Sequence, residues 1–456
     1  MSRDLDVVVV GAGLAGLTAA REVIRAGARA IVLEASSRVG GRLVRQEVAG
    51  VTVDGGGAWV GPTQDRVLAM IGELGLETMP QWTRGRNLMR TAGRTRARAG
   101  RLPPVPLPAL VDLAIGQWRL DRLARRASNE ATWKELDEST LDSWMTRHLH
   151  TGAARAVVTI AAAATTGTGP EDLSLLAFVQ HIRAAGGVEQ LTGVEGAAQD
   201  RRIAGGAVTL CERLADGMRG AVRLGADVRA VFQDEDAVSV RTGGEALRAD
   251  RVVVALDPAL CRRIDFGPEL PGDRRFLHQG WEMGTGFKFH VAYSSPFWRE
   301  SGLSGQLLAD DGLVRLTFDA TPEGPEGSPG VGVIVGFLGE AFSDDPQLLD
   351  PAAFDLRRRK VVDELAAAFG PPGSSPVDYV EKDWRDEPNI EGCVPGVPPG
   401  VLGDAGVHPY AQWGRVSWAG AEAANRWEGH MDGAIRSGER AASEVLADPV
   451  ATRPRS

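Results

Sequence analysis

Lysine and cysteine are scarce in this sequence of 456 residues. Arginine supplies nearly all of the positive charge, since the 51 basic residues include four lysines, Lys134, Lys288, Lys360 and Lys382. The three cysteines are too few for a disulfide framework, and they favour a reducing compartment. The 60 acidic residues outnumber the basic ones and give a net charge of −9. This balance argues against a nucleic-acid-binding protein, which normally carries a basic face.

Long apolar runs are also lacking. The longest, residues 156–164, is far shorter than the roughly 20 residues that span a bilayer. The first residues lead directly into an apolar strand, without the basic and hydrophobic regions of a secretory signal. We therefore expect a cytoplasmic protein without membrane or nucleic-acid partners. His148 and His150 have no cysteine or carboxylate partners at metal-ligand spacing, so we expect no metal site.

The N-terminal region has the pattern of a β-α-β unit. Residues 6–10 are a continuous apolar run, which predicts a strand buried on both faces. The glycine-rich segment Gly11-Ala-Gly-Leu-Ala-Gly16 follows at once, and residues 17–26 then have helical spacing. Residues 30–34 form a second apolar strand that ends in an acid. This context turns a weak glycine pattern into a specific prediction of a dinucleotide site.

Each glycine of this segment has its own physical role. Gly11 permits the tight turn, Gly13 lets the backbone approach a pyrophosphate, and Gly16 lets the helix pack closely on the strand. The N-terminus of the helix offers free N–H groups and the positive end of its dipole to the phosphates. Glu34, at the end of the second strand, is placed to accept hydrogen bonds from a ribose.

A second glycine-rich turn favours a flavin dinucleotide over a nicotinamide one. Arg38-Val-Gly-Gly-Arg42 follows Glu34 closely, and Asp54-Gly-Gly-Gly-Ala-Trp59 comes soon after. A guanidinium can pair with the pyrophosphate, and glycines let the chain pass near a flat ring system. Further along, residues 251–256 and 416–419 are predicted as buried strands, and residues 431–446 as a helix. The run Arg357-Arg-Arg-Lys360 is predicted as a solvated helix face.

Several motifs in order resemble the flavin-containing monoamine oxidase family along nearly the whole chain. They comprise residues 56–64, 141–144, 284–288 and 296–298, the pair Trp384 and Cys393, and residues 398–400, 418–422 and 429–433. The resemblance implies an α/β fold with a Rossmann-type FAD-binding domain and an inserted α+β substrate-binding domain. It assigns residues 1–79, 204–278 and 386–456 to the first domain, and residues 80–203 and 279–385 to the second.

The resemblance also implies the site residues. Lys288 matches the lysine that holds a water near flavin N5, and Trp384 the tryptophan beside the ring; with His430 they are the predicted catalytic residues. Lys288 is also notable because arginine is otherwise so strongly preferred. The predicted cofactor-binding residues are Gly11, Gly13, Gly16, Glu34, Ala35, Arg38, Gly41, Arg42, Gly57, Ala58, Trp59, Val228, Trp384, Cys393, Gly420, Ala421, Glu422, His430 and Met431. The predicted substrate cavity contains Thr192, Val394 and His430.

Two positions depart from the family pattern. Val394 and His430 stand where the family has the two aromatic rings that steer an amine to the flavin. His430 could transfer a proton, hold a polar or anionic substrate group, or only fill the space of a ring. Cys393 stands where some members bind the flavin 8α-methyl through sulfur, so a covalent bond and a free thiol both stay open.

The predicted activity is FAD-dependent oxidation of a C–N bond to an imine by hydride transfer to flavin N5. Reoxidation by O2 gives hydrogen peroxide, and the expected partners are a small amine and O2, with a homodimer implied by the resemblance. The alternative is a tailoring flavin oxidase or dehydrogenase that acts on a larger or less basic nitrogen compound, or on a C–C bond. A noncatalytic flavin-binding protein is the third hypothesis, against which Lys288 and Trp384 argue.

Overall fold

The computed structural model describes residues 5–322, 330–338, 345–406 and 408–447. The outermost parts of the predicted FAD domain, residues 1–4 and 448–456, lie outside this description, as do residues 323–329, 339–344 and 407. The described chain contains two large β-sheets and a set of helices. The four strands predicted from the sequence lie side by side and parallel. Leu5–Val10 pairs with Ala30–Leu33 and with Ala246–Val254, and the latter also pairs with Val416–Trp418.

The first sheet has eight strands. Its order is Val222–Arg223, Ala30–Leu33, Leu5–Val10, Ala246–Val254, Val238–Thr242, Val228–Gln233 and Asp265–Gly267, with Val416–Trp418 also paired to Ala246–Val254. The central pairs are parallel, as expected for strands that are connected through helices.

The first strand shows why its residues are apolar without alternation. Val7 and Val9 belong to the core on one face of the sheet, and Val8 and Val10 belong to the core on the other face. The helices Leu14–Arg25 and Met431–Ala447 cover the first face and contact each other closely. Gly438 allows this contact, because a Cβ there would overlap the carbonyl oxygen of Ala15.

The second sheet has seven strands and is mainly antiparallel. Its order is Asp378–Asp383, Phe287–Tyr293, Gly332–Leu338, Leu316–Asp319, Leu303–Ala309, Arg86–Thr91 and Arg94–Ala99. Three small sheets join neighbouring segments: Arg45–Val48 with Val51–Asp54, Met283–Gly284 with Val394–Pro395, and Trp59–Val60 with Arg201–Ile203 and Thr78–Pro80.

The remaining chain is largely helical. The α-helices besides the two already given are Asp65–Glu73, Leu107–Arg126, Trp133–Asp137, Leu141–His148, Gly152–Thr166, Leu175–Ala185, Val188–Thr192, Thr209–Gly217, Gly272–Gly280, Phe297–Glu300, Pro346–Leu349, Phe354–Phe369 and Val401–Ala405. Short 3₁₀ helices are Glu130–Thr132, Leu260–Arg263, Pro351–Ala353, Pro371–Ser374 and Ala421–Ala423. Within the described residues, no helix combines the length and apolarity needed to cross a membrane.

Side-chain hydrogen bonds cap the N-termini of the helices Gly152–Thr166 and Leu175–Ala185. Gly152–Thr166 begins after Thr151, whose hydroxyl accepts a hydrogen bond from the N–H of Ala154. Leu175–Ala185 begins after Ser174, whose hydroxyl accepts from the N–H of Ala177. Both helices end at a glycine in the left-handed conformation.

The prediction that the run from Arg357 to Lys360 is a solvated face is wrong for its first residue. Arg357 lies in the helix Phe354–Phe369 and is only 2% exposed. Its guanidinium pairs with Glu381 of the neighbouring edge strand at 2.5 Å and stacks on the ring of Phe287. The helix therefore uses one arginine to bind the second sheet.

Candidate active site

A cavity of about 1090 Å³ connects the two large sheets. One end lies at the glycine-rich loop after the first strand, and the other lies among the helices Leu107–Arg126, Gly152–Thr166 and Val188–Thr192. Pockets for drug-sized ligands typically measure about 300–1,000 Å³, so this cavity lies at the large end of that range and has room for more than one small molecule. We call the first part the dinucleotide end and the second part the apolar end.

Most of the predicted site residues line this cavity. They are Gly11, Gly13, Glu34, Ala35, Gly41, Arg42, Gly57, Ala58, Trp59, Thr192, Val228, Lys288, Trp384, Cys393, Val394, Gly420, Ala421, His430 and Met431. Gly16, Arg38 and Glu422 do not line it. Residues from distant parts of the chain, from Gly11 to Met431, are therefore brought to one place.

The glycine-rich loop has the geometry that a dinucleotide requires. Gly11 has a φ of +100°, which disfavours other residues, and a Cβ on Gly16 would overlap the carbonyl oxygen of Gly11. A Cβ on Gly13 would meet nothing within 4 Å, so open space adjoins the backbone there. No side chain caps the helix Leu14–Arg25, and its first turn has no acid. Its N–H groups are available for phosphate oxygens, so the residues present fit a dinucleotide.

Glu34 closes the dinucleotide end. Its carboxylate accepts hydrogen bonds from the backbone N–H of Ala12 at 2.7 Å and of Ser36 at 2.8 Å. These bonds hold the glycine-rich loop against the end of the second strand. A carboxylate has about four acceptor positions, so it retains capacity for ribose hydroxyls.

Arg42 forms the central ion pair of this end. Its guanidinium donates to both carboxylate oxygens of Glu422, at 2.6 and 2.9 Å, and to the carbonyl of Cys393 at 3.1 Å. Burial lowers the pKa of Arg42, but Glu422 more than offsets this, so the pKa is raised overall. Burial and Glu422 raise the pKa of the neighbouring Asp257 carboxyl to about 6. Glu422 thus acts behind the wall by orienting Arg42.

Arg38 is not placed as a direct ligand. Its guanidinium donates to the carbonyls of Gly41 at 2.9 Å and Leu43 at 3.3 Å, and pairs with Glu387 at 3.3 Å. These contacts hold the Gly-Gly turn in shape. Of the two arginines in this segment, Arg42 is the one at the cavity wall.

Lys288 lies where the two ends of the cavity meet. It is 5% exposed in the strand Phe287–Tyr293, and its Nζ donates to the carbonyl of Gly56 at 2.8 Å. Its Nζ also lies 4.8 Å from the ring centroid of Trp59. Burial lowers the pKa of Lys288 to about 8, against the opposing influence of Asp54 and Cys393.

Polar groups that sequence reasoning left without a role surround this lysine. Burial raises the pKa of the Asp54 carboxyl to about 6, and Lys288 opposes that shift. Asp54 accepts a hydrogen bond from the N–H of Ala207 at 2.7 Å. His290 follows on the same strand, and burial holds its pKa well below the usual range. The sequence signal that could have identified Asp54 is its position directly before the glycine turn that begins at Gly55.

Trp384 forms part of the cavity wall beside Gly56. It is 1% exposed, and its indole Nε1 is buried without a hydrogen-bond partner among the described groups. A Cβ on Gly56 would come within 2.9 Å of its ring. The chain therefore has glycine where the wall approaches this tryptophan most closely.

Cys393 presents its half-buried thiol to the same cavity. Burial raises the pKa of this thiol, and Arg42 and Lys288 oppose the shift. Cys211 and Cys261 are fully enclosed in the first sheet's two cores, as expected for small apolar side chains. Among the described residues, no group of three or more potential ligands could hold a metal ion.

His430 and Met431 lie at the start of the helix Met431–Ala447. The His430 ring stacks on that of His181, with centroids 5.5 Å apart and planes inclined by 27°. His181 received no role from the sequence, because nothing local in the helix Leu175–Ala185 distinguishes it. Val394 lines the cavity from the two-residue strand Val394–Pro395.

The apolar end has little charge. Its lining includes small and aliphatic side chains from the helix Gly152–Thr166 and aromatic rings from the second sheet. Thr192 lines it, but its hydroxyl donates to the carbonyl of Val188 at 2.9 Å. At the mouth, Arg101 pairs with Glu195 at 3.4 Å and approaches Glu189 at 4.0 Å. A site of this form binds a dinucleotide beside an apolar ligand, as in a cofactor-dependent oxidoreductase.

Comparison with known proteins shows to which family of cofactor-dependent oxidoreductases the chain is similar. The family model described as flavin containing amine oxidoreductase matches residues 14–446. AofH of Mycobacterium tuberculosis, named as a flavin-containing monoamine oxidase, is 38% identical over 453 residues, 97% of each chain. Flavin-containing amine oxidase A of Canis lupus familiaris is 33% identical over 454 residues, which cover 97% of this chain and 85% of that protein.

Solved structures agree with these relatives. Putrescine oxidase bound to putrescine has a TM-score of 0.91 and 29% identity, with 97% of this chain and 99% of that chain covered. Cyclohexylamine oxidase from Brevibacterium oxydans IH-35A has a TM-score of 0.90 and 30% identity, with the same coverage.

The chain belongs to the flavin-containing amine oxidoreductase family. The amine oxidase fold and the FAD cofactor predicted from the sequence are thereby confirmed, and so is FAD-dependent oxidation of amines. Members of this family act on amine substrates with flavin and O2. The alternative of a tailoring enzyme for amides or C–C bonds is not favoured by these relatives.

Proposed function

We propose that this amine oxidase acts on monoamines whose nitrogen is carried by an apolar body. The observation that carries the proposal is the single cavity that joins the dinucleotide end to an uncharged apolar end, with Lys288 and Trp384 between them. An apolar chamber beside the cofactor excludes water and favours an uncharged amine.

Residues of the dinucleotide end would hold FAD. The helix N-terminus after Gly13 and the guanidinium of Arg42 would bind the pyrophosphate, and Glu34 the ribose. When bound, FAD accepts the electrons of the C–H bond next to nitrogen and delivers them to O2. Lys288 keeps two N–H donors after its bond to Gly56, and these would hold a water at the centre of the site.

The two-domain division stays part of this proposal. Residues 1–79, 204–278 and 386–456 would form the FAD-binding domain, and residues 80–203 and 279–385 the substrate-binding domain. All strands of the first sheet fall in the former ranges and all strands of the second sheet in the latter, which supports the division.

A diamine fits the apolar end poorly. Putrescine carries a second ammonium group, which needs a carboxylate when it leaves water. The carboxylates among the described lining residues are Glu34, Asp227 and Asp257, which line the dinucleotide end, and Glu189 and Glu195 at the mouth. We therefore propose a preference that differs from that of putrescine oxidase.

The test is an anaerobic reduction assay. The purified holoenzyme should be yellow, and it should bleach with benzylamine or cyclohexylamine and release peroxide in air. Putrescine should reduce the flavin at least about 10-fold more slowly at equal concentration, as expected for one unpaired charge. Faster reduction by putrescine would contradict the monoamine proposal. Intact mass after denaturation distinguishes a covalent Cys393–flavin bond from dissociable FAD.

Two further expectations belong to the proposal. A cytoplasmic location is supported by the three cysteines, all of which are free thiols. Cell fractionation would test it. A homodimer stays a prediction, and light scattering coupled to size-exclusion chromatography would measure the mass in solution.

A further inference from the structure

The cavity contains one histidine whose proton position follows from its contacts. Nδ1 of His430 lies 2.8 Å from the carbonyl oxygen of Glu428. A carbonyl can only accept a hydrogen bond, so Nδ1 must carry the proton. Nε2 has no hydrogen-bond partner among the described residues, while the ring lines the cavity.

The surroundings keep this ring uncharged. Burial lowers the pKa of His430, and the hydrogen bond from Nδ1 and the charge of Asp432 oppose the shift only in part. The Asp432 carboxylate is already engaged by Arg436 and by the N–H groups of Arg66 and Val67. In neutral His430, Nε2 therefore carries a lone pair.

The other elements packed against His430 also bring no full positive charge to it. His181, from the helix Leu175–Ala185, has a pKa lowered to about 3 by burial and by His430, so it is neutral. Burial raises the pKa of the Glu428 carboxyl to about 8. Trp427 also contacts the ring, with centroids 5.0 Å apart. Among the described lining residues, Lys288 is the basic side chain from the second sheet, and its Nζ donates to the carbonyl of Gly56.

The ring is also held in place. His181 stacks against one face and Trp427 meets it at an interplanar angle of 67°. The hydrogen bond to Glu428 fixes its rotation as well as its tautomer. Nε2 is therefore a preorganised acceptor in a chamber that otherwise offers mainly apolar surface.

We propose that Nε2 of His430 accepts a hydrogen bond from the N–H of the uncharged substrate amine, so that the enzyme selects primary and secondary amines over tertiary amines. The inference rests on the proposed amine oxidation and names the substrate class within it. An uncharged tertiary amine has no N–H to donate, and when it fills the cavity it would leave Nε2 without a hydrogen-bond partner. Such a loss lowers kcat/KM by about 10-fold to 100-fold.

A methylation series tests this selection in the holoenzyme. Benzylamine, N-methylbenzylamine and N,N-dimethylbenzylamine share one apolar body and differ in N–H count. Anaerobic flavin reduction should be about 10-fold to 100-fold faster for the first two. If the dimethyl compound reduces the flavin of the wild-type enzyme equally fast, the inference is wrong, but the proposed function still stands. Failure with all three amines, and with cyclohexylamine, overturns both.

Variants then assign the selection to His430. His430→Phe keeps a ring without an acceptor and should lose the preference for N–H amines, whereas His430→Gln should retain part of it. The matched control is His150→Gln, since His150 is exposed and lies outside the cavity lining. Flavin absorbance checks that each variant is loaded. A His430→Phe enzyme that keeps the full preference overturns the inference.

Two readouts separate an acceptor from a space-filling ring. In the wild type, the rate of flavin reduction by N-methylbenzylamine should fall as the pH drops through the lowered pKa of His430, after correction for amine protonation. The variant His430→Gln should lack this fall.

The second readout is the NMR signal of ¹⁵N-histidine-labelled, anaerobically reduced holoenzyme. The Nε2 signal should be that of an unprotonated nitrogen, and it should shift with N-methylbenzylamine but not with the dimethyl compound. A protonated Nε2 signal at pH 7.5 overturns the inference without relying on any variant.

Discussion

The two ends of the cavity are built in different ways. The dinucleotide end is made largely of backbone: a strand, a glycine-rich turn and a helix N-terminus that follow one another within residues 5–25. The apolar end is made of side chains from helices and strands that are far apart in the sequence. Charge is concentrated in the first end, around Arg42 and Glu422, and the second end has mainly apolar side chains.

This difference implies different consequences of substitution. Changes at the dinucleotide end should affect stability and flavin content together, because the same backbone packs the sheet and, in our proposal, binds the cofactor. Changes at the apolar end should alter KM and substrate preference while the flavin remains bound. The following predictions test that separation.

The largest effect is expected for Gly16→Val. The new Cβ would overlap the carbonyl oxygen of Gly11, so the helix must move away from the strand. We expect a loss of about 3 kcal/mol or more in the free energy of unfolding, together with loss of FAD. Gly72→Ala is the control, because its Cβ would meet nothing within 4 Å and should raise stability by up to about 1 kcal/mol. Chemical denaturation and flavin absorbance measure both.

Arg42→Met should have the next largest effect. It leaves the carboxylate of Glu422, which is 2% exposed, without its partner. Since Arg42 itself faces the cavity, we expect a loss of about 2–3 kcal/mol, below the usual range for a deeply buried pair. Adding Glu422→Gln should recover part of the stability but not the flavin content. Full recovery of flavin in the double variant would contradict a direct role of Arg42.

Lys288→Met should change the pH dependence of stability. The pKa of Lys288 is lowered from 10.5 to about 8, so between these values the unfolded state binds a proton that the folded state does not. The stability of the wild type relative to the variant should therefore rise as the pH increases from about 8 to 10.5. Lys134→Met, at an exposed side chain, should show no such rise. Urea unfolding at several pH values measures this difference in stability.

The smallest effect on stability is expected for Ala161→Phe at the apolar end. Ala161 lines the cavity, and a ring there would occupy the space that we propose for the body of the substrate. The KM for a bulky amine should rise about 10-fold, corresponding to about 1.4 kcal/mol, while that for a small amine changes little. Flavin content should stay at the wild-type value. A fall in flavin content equal to that of Arg42→Met would remove the distinction between the two ends.

Sequence reasoning predicted the dinucleotide end in detail because its signals are local. The helix at residues 17–26 was placed a few residues late, since it begins at Leu14, and the second strand ends at Leu33 instead of Glu34. The apolar residues beside Lys288 in the strand Phe287–Tyr293 are also a local pattern, and they agree with its burial. By contrast, His181 had no local signal, because its contact with His430 depends on two helices that meet only in the folded chain.

The sequence by itself determined the β-α-β unit of the dinucleotide end, since glycine spacing and uninterrupted apolar strands act on neighbouring residues through backbone geometry. The tertiary structure decided the contacts of individual side chains, both in the cavity and outside it. It paired Arg357 with Glu381 instead of exposing it, turned Arg38 away from the cavity, and set the tautomer of His430 through the Glu428 carbonyl. These outcomes depend on which side chains and carbonyls approach one another across the fold, and such distances are not encoded in any local pattern.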